Sequence, residues 1–342
     1  MPHLLETLTA VVSDLTRRHH LPDIIKLSPL QGDASARRYF RVNTSSYSMI
    51  LMDCRALIDI TTAFSSLTTS LIKQQIPAPH ILAATPDRGL MLLEDFGDTT
   101  LLHDLTQHKT TSPYDKAVQL LVRLQCIPRS AFPTLPTYSH EKLMAECHVF
   151  PHWFLNRFLK LKLSTAQHYN LNLTFEYLIN NALAQPSCFV HRDYHSRNLM
   201  VKDNGSLGLI DYQDAVWGAA AYDWASLLKD CYITMPRSQQ LVYLKQGHHA
   251  LQADVNTAPA WDSFLKDYDL IGLQRHLKVL GVFSRLALRD GKTTYLNDIP
   301  RIINYIKATC QIYPELMALS AIMRMAEAQF NLQRQQTTEK TL

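Results

Sequence analysis

The sequence predicts an α+β protein of two unequal lobes, a small β-rich one followed by a larger and mostly helical one. Three observations predict it. The chain has 342 residues, more than one compact core serves well. Between Tyr39 and Glu94, short β-prone runs alternate with turn residues. From Asp104 onward, apolar residues recur with a period near 3.6.

In chain order, Leu4, Leu5, Leu8, Val11, Val12 and Leu15 recur at helical spacing and predict an amphipathic first helix. That stretch lacks the basic start and continuous apolar run of a signal peptide, and no later run reaches the roughly 18 apolar residues of a membrane span. Tyr39 to Val42 and Met49 to Met52 predict a strand–turn–strand pair opening an antiparallel sheet. "ITTAFSSLTTSLIKQQIPAP" has helical spacing and stops at a double-proline boundary, and "GLMLLEDFGD" supplies a further apolar strand. The small lobe is therefore expected over residues 1–95, with one main helix besides the first. Helical stretches follow near 114–126, 139–163, 171–184, 222–232, 237–253, 261–289 and 299–313, giving a large lobe over 96–330 interrupted by a hairpin region at 189–214. Polar residues 331–342 predict a tail.

The net charge of +4, from 34 basic and 30 acidic residues, is too small to predict a nucleic-acid footprint. Six cysteines, at 54, 126, 147, 188, 231 and 310, form no C-x-x-C pair, which argues against a zinc ribbon or redox motif and for free thiols in a reducing cytosol. A cytoplasmic monomer with no membrane partner is expected.

The densest polar stretch is "FVHRDYHSRNLMV", residues 189–201. Beyond it, "KDNGS" joins "LMV" to "LGLI", and Asn204-Gly205 predicts a tight turn with positive φ, so that Leu199–Val201 and Leu207–Ile210 pair antiparallel. Asn198 and Asp211 then lie side by side at the end opposite the turn, and Asp193 precedes Asn198 by five residues. Oxygen ligands so arranged suit Mg²⁺, which fills its remaining positions with water and substrate phosphates.

His191-Arg192-Asp193 through Asn198, followed by the strand-flanked Asp211, resembles the catalytic and metal-binding loops of the protein-kinase-like fold. Asp211 is followed by Tyr-Gln-Asp, as in the small-molecule branch, the aminoglycoside phosphotransferase and choline kinase-like family. "GDASARRYFRV", "MLLEDFGD", "VHRDYHSRNLM", "IDYQDAVWG", "YDWASLLKDCY" and "LQRHLKVLGVFSRLALRDGKTTYL", in order from residue 32 to 296, resemble its bacterial amino-sugar kinases. The resemblance implies a two-lobed kinase-like fold with ATP bound between the lobes. It implies that Asp193 orients and deprotonates the acceptor hydroxyl, that Asn198 and Asp211 hold Mg²⁺, and that backbone groups at Glu94 and Phe96 hydrogen-bond adenine. The implied reaction is ATP-dependent phosphorylation of N-acetylmuramate or N-acetylglucosamine at the anomeric hydroxyl, in peptidoglycan recycling. Asp223 would cap the helix it begins, or tie that helix to the backbone of the catalytic loop.

Other readings stay open on the sequence. His191 reads as a brace for its loop, although His191, Asp193 and His195 also have a spacing that could ligate zinc in a hydrolase. The segment around Gly32 has one glycine where a phosphate-covering loop often has several, and "SMILMDC" lacks a strand lysine. Arg38 or Arg41 would then serve the phosphates, or both would sit on a solvated strand face. These departures also admit a catalytically silent nucleotide-binding protein. Arg275, Lys278, Arg285, Arg289 and Lys292 form a stripe that is either a solvated helix face or an attraction for an anionic acceptor. His195, Arg197, Asp214 and Arg289 are the candidate acceptor contacts.

Overall fold

The computed structural model describes residues 2–30, 37–56, 59–108, 112–254 and 259–339. The segment containing Gly32 lies outside them. Contacts divide the chain into two compact units. The first comprises Met1–Leu120, Ser130–Phe132 and Arg197–Asp214, and the second Leu121–Arg129, Pro133–Ser196 and Ala215–Leu342. The boundary thus crosses the 189–214 region between Ser196 and Arg197, whereas the sequence assigned that whole region to the helical lobe.

In the first unit, α1 (Pro2–Arg18) precedes the strands β1 (Ile24–Pro29), β2 (Arg38–Thr44) and β3 (Ser48–Asp53). Then come α2 (Asp59–Lys73), β4 (Ile81–Thr85), β5 (Leu90–Glu94), α3 (Leu101–His108) and α4 (Ser112–Gln125), whose last residues belong to the second unit. The five strands form one antiparallel sheet in the order β1-β2-β3-β5-β4. Leu8, Val12 and Leu15, one stripe of α1, pack with Phe40, Val42, Met49, Leu51 and Leu92 of the sheet in a buried core. β1 and β4 were not predicted. They are the two edge strands, and their mixed burial leaves no clean period-2 pattern.

The second unit holds α5 (His140–Val149), a π-helix (Phe150–Phe158), α6 (Thr165–Ala184), β6 (Ser187–Val190), β9 (Val216–Ala219) and α7 (Tyr222–Leu228). α8 (Arg237–Asp254), α9 (Trp261–Asp290), α10 (Ile299–Ile312) and α11 (Met317–Glu339) follow. α9 is its spine, thirty residues long with Leu270, Ile271, Leu273, Leu277 and Leu280 fully buried.

Three expectations differ here. The stretch predicted as one helix over 139–163 changes to a π-helix at Phe150, where Pro151 contributes no N–H to the ladder. The helix expected to reach residue 232 stops at Leu228, because the Asp230 carboxylate takes the N–H of Tyr232 at 2.8 Å and turns the chain. The residues expected as a tail from 331 remain helical to Glu339, with Phe330 buried against Phe158 at 6.2 Å between ring centroids. All six cysteines are free. No helix among the described residues is long and apolar enough to cross a membrane.

Candidate active site

Within the first unit, β7 (Leu199–Val201) and β8 (Leu207–Leu209) pair antiparallel with Leu199 opposite Leu209 and Val201 opposite Leu207. The turn is wider than predicted. Only Gly205 has positive φ, at 72°, and Gly205 N–H donates to the Lys202 carbonyl at 2.7 Å while Lys202 N–H reaches the Ser206 carbonyl at 2.9 Å. A glycine in the left-handed region after an ordinary turn suffices for a loop of this length.

At the other end, Ile210 N–H donates to the Asn198 carbonyl at 3.1 Å, so the hairpin brings Asn198 and Asp211 to one mouth as expected. Asp211 has φ of 63°, a conformation that costs a residue with a side chain unless its surroundings impose it. Its neighbour imposes it. The Tyr212 ring is buried and stacked on Phe64 of α2 at 5.2 Å, with its hydroxyl 2.8 Å from Thr68 Oγ1.

Asp211 Oδ1 accepts from Gln213 Nε2 at 2.7 Å and from Arg37 Nη2 at 3.4 Å. Arg37 was not predicted. Strand alternation places Tyr39 and Arg41 on one face of β2 and Arg38 on the other, and Arg37 lies just before the strand. Burial, reinforced by Asp211, keeps the Tyr39 hydroxyl protonated well above its usual range. Arg38 instead binds Asp53 at 2.7 Å, and Arg41 binds Asp95 and Asp98, each at 2.7 Å. Of the two arginines predicted for phosphate, neither is brought to Asp211; Arg37, from the same run, is.

Glu94 ends β5, and its N–H donates to the His80 carbonyl at 2.8 Å. Its carboxylate lies 3.4 Å from Lys202 Nζ, which sits 3.8 Å over the ring of Phe96. That ring covers Gly208 so closely that a Cβ there would stand 2.4 Å from it. Gly208→Ala should therefore destabilise the hairpin by about 1–3 kcal/mol, read as a lower denaturant midpoint.

The second unit holds the Asp193 loop. Asp223, fully buried on α7, accepts the N–H of His191 at 2.6 Å and of Arg192 at 3.1 Å. Of the two roles foreseen for it, this is the tie to the loop backbone. The tie holds Arg192 at φ 74°. Burial raises the Asp223 carboxyl to about 7, against the lowering effect of the two N–H bonds. Its folded pKa thus exceeds the ordinary 3.8, and the stability it contributes, present in full below pH 4, is lost as pH rises through 7. Relative to Asp223→Asn, the wild-type protein should lose stability over that window by at most about 1.4 kcal/mol per pH unit, measured by chemical denaturation of both proteins.

The Arg192 guanidinium pairs with Glu146 of α5, which the Tyr138 hydroxyl and Lys278 Nζ, at 3.2 Å, also reach. Asp193 is 44% exposed, and Arg275 Nη2 stands 4.0 Å from its Oδ1. Surrounding protein atoms push its pKa up, but Lys278, His195, Arg275 and Arg192 outweigh them and hold it at about 2. The front of the predicted basic stripe is therefore neither solvated nor idle, since Arg275 is 3% exposed and is part of the field at Asp193. Arg289 is not part of it. It lies eleven residues beyond Lys278 on α9, about 16 Å of helix rise, and pairs with its exposed neighbour Asp290 at 2.7 Å.

His195 is buried, its N–H donating to the Asp193 carbonyl at 3.0 Å. Arg197 is half-buried and Asp214 exposed, both in the first unit. The zinc reading fails on geometry. His191 Nδ1 accepts the Asp193 N–H at 3.3 Å, and among the described residues no three His, Cys, Asp or Glu side chains are grouped to hold a metal ion. An amide and a carboxylate at one hairpin mouth, by contrast, are the hard oxygen donors that Mg²⁺ takes together with water and phosphate.

A kinase-like catalytic loop braced by a buried aspartate defines a phosphotransferase, and the chain belongs to the phosphotransferase enzyme family, whose pattern matches residues 26–263. Among individual relatives, it is 35% identical over 305 residues to an N-acetylmuramate/N-acetylglucosamine kinase of Pseudomonas putida, covering 88% of each chain. It is 34% identical to the kinase of the same name in Pseudomonas aeruginosa, covering 87% of this chain and 88% of that one. Its fold matches that of choline kinase LicA from Streptococcus pneumoniae with a TM-score of 0.62 at 13% identity, covering 90% of this chain and 99% of that one.

Proposed function

We propose that the protein transfers the γ-phosphoryl group of ATP to the anomeric hydroxyl of N-acetylmuramate or N-acetylglucosamine, in the cytoplasmic recycling of peptidoglycan. One observation carries the reading: the Asp193 loop is tied down by Asp223 in a chain that aligns over 88% of its length with a kinase bearing those sugars' names. Asp193 accepts a hydrogen bond from the sugar hydroxyl and aims it in line with the phosphorus. A carboxyl held at about 2 is a weak base, so its contribution is mainly orientation, the proton leaving late as the bond to phosphorus forms.

Asn198 and Asp211 would hold Mg²⁺, which neutralises phosphate charge when bound. Arg37 supplies the cation that the strand lacks. It is 9% exposed and already 3.4 Å from Asp211, and its planar fork suits phosphate oxygens.

Arg192, Arg275 and Lys278 around Asp193 favour an anionic acceptor over a polycationic aminoglycoside. The lactyl carboxylate of N-acetylmuramate answers that field, so its kcat/KM should exceed that of N-acetylglucosamine by roughly tenfold, the equivalent of about 1.4 kcal/mol. Initial rates with each sugar test the preference, and phosphorus NMR of the product tests the position. The expected signal is split by the proton on C1; an unsplit or differently coupled signal would move the phosphate to another hydroxyl. ATP consumption without any sugar would replace transfer by hydrolysis or autophosphorylation.

A further inference from the structure

Asp223 is not the only buried carboxylate that grips the catalytic loop. Asp230, 1% exposed just past the end of α7, accepts the N–H of Ser196 at 2.8 Å through Oδ2 and the N–H of Tyr232 at 2.8 Å through Oδ1. One side chain thus links the end of the Asp193 loop to the residue that carries the Tyr232 ring. That ring meets His195 edge-on at 5.2 Å between centroids and leans on Phe283 at 6.0 Å, which in turn packs on Tyr295 at 4.9 Å. His195, Phe283 and Tyr295 are buried, whereas Tyr232 is half-exposed. It is the exposed member of an aromatic row that runs from His195 to Tyr295, and His195, its neighbour on one side, lies close enough to Asp193 to lower its pKa.

We propose that Tyr232 is a sugar-binding residue, a platform for the apolar face of the acceptor ring, and that Asp230 is the positioning residue that keeps this platform in register with Asp193. The inference rests on the kinase reading above and adds to it how the acceptor is held. A pyranose presents C–H groups on one face and hydroxyls around its rim, so it needs a flat apolar surface beside the group that receives its proton. A ring with fixed neighbours offers that surface at little entropic cost. Because Asp230 spends one oxygen on each segment, displacing it separates platform from aspartate even when each segment keeps its own fold.

The test is steady-state kinetics with N-acetylmuramate and Mg²⁺-ATP varied independently, in the full-length protein. Tyr232→Ala should raise the acceptor KM about tenfold while the KM for ATP stays within about twofold, and Tyr232→Phe, which keeps the ring, should restore the acceptor KM. Asp230→Asn turns one acceptor into a donor facing an N–H. It should lower kcat/KM for the sugar by about tenfold, again without a matching change for ATP, a split that a merely structural role would not produce. If Asp230→Asn fails to fold, the half-exposed Tyr232→Leu and Tyr232→Phe pair decides the matter. Wild-type turnover with an unaltered acceptor KM in Tyr232→Ala, or equal losses for sugar and ATP, would overturn this inference alone. No turnover by the wild-type protein on either amino sugar would overturn the kinase reading and this inference with it.

Discussion

Asp193→Asn is expected to lower turnover by roughly 10² to 10⁴ while leaving the protein folded. The amide keeps the size of the carboxylate and one acceptor oxygen, so what changes is the charge proposed to align the acceptor hydroxyl. The fold should tolerate it because the side chain is 44% exposed and its contact with Arg275 is a long one, 4.0 Å. The pH profile carries a second expectation. With its pKa held at about 2, Asp193 is ionised throughout the neutral range, so the acid limb of kcat/KM should not report its titration. A well-folded Asp193→Asn variant with near wild-type turnover would remove Asp193 from the reaction.

The second large effect is expected at Asp211. Asp211→Asn should cost on the order of 10² or more in turnover, because the charged ligand proposed for the phosphate-bound cation would become a neutral one. The variant isolates charge from backbone. Asparagine, like aspartate, accepts φ near +60°, so the turn at 63° and the buried Tyr212 that fixes it stay in place. The loss should therefore come with a higher Mg²⁺ requirement, visible as a rightward shift when turnover is titrated against Mg²⁺, with little change in melting temperature. An unshifted Mg²⁺ titration would release Asp211 from the metal role. Asp211→Ala is the poorer test, since alanine resists the left-handed backbone and would mix strain with chemistry.

Much of this was legible in the sequence, for identifiable reasons. The hairpin could be read because a Gly-containing turn between two short apolar runs fixes the pairing, and the pairing fixes which residues share its mouth. That is why Asn198 and Asp211 were found without coordinates, even though the turn around Gly205 proved wider than a two-residue one. The long helices were legible because apolar periodicity over many residues admits few other interpretations. The β1 and β4 edge strands were not, since strands with one free side carry a weaker pattern.

The cationic side chains were the hardest to assign. Arg37, Arg38 and Arg41 are alike in sequence, and only strand register decides that Arg37 meets Asp211 while Arg38 meets Asp53. The same holds along α9, where Arg275 and Arg289 share a stripe but only Arg275 stands at Asp193. A charged side chain reads the same buried or exposed, and its partner, Glu146 for Lys278 or Asp269 for Lys229, comes from distant chain.

By itself the sequence determined the α+β class, the hairpin and the identity of the acid and amide at its mouth, because these follow from local periodicity and turn chemistry acting over a few residues. Only the tertiary structure decided which arginines are engaged and that Asp223 and Asp230 grip the catalytic loop. Those roles depend on burial and on hydrogen bonds between residues more than thirty positions apart, where free energy is set by what surrounds a group and not by its neighbours in the chain.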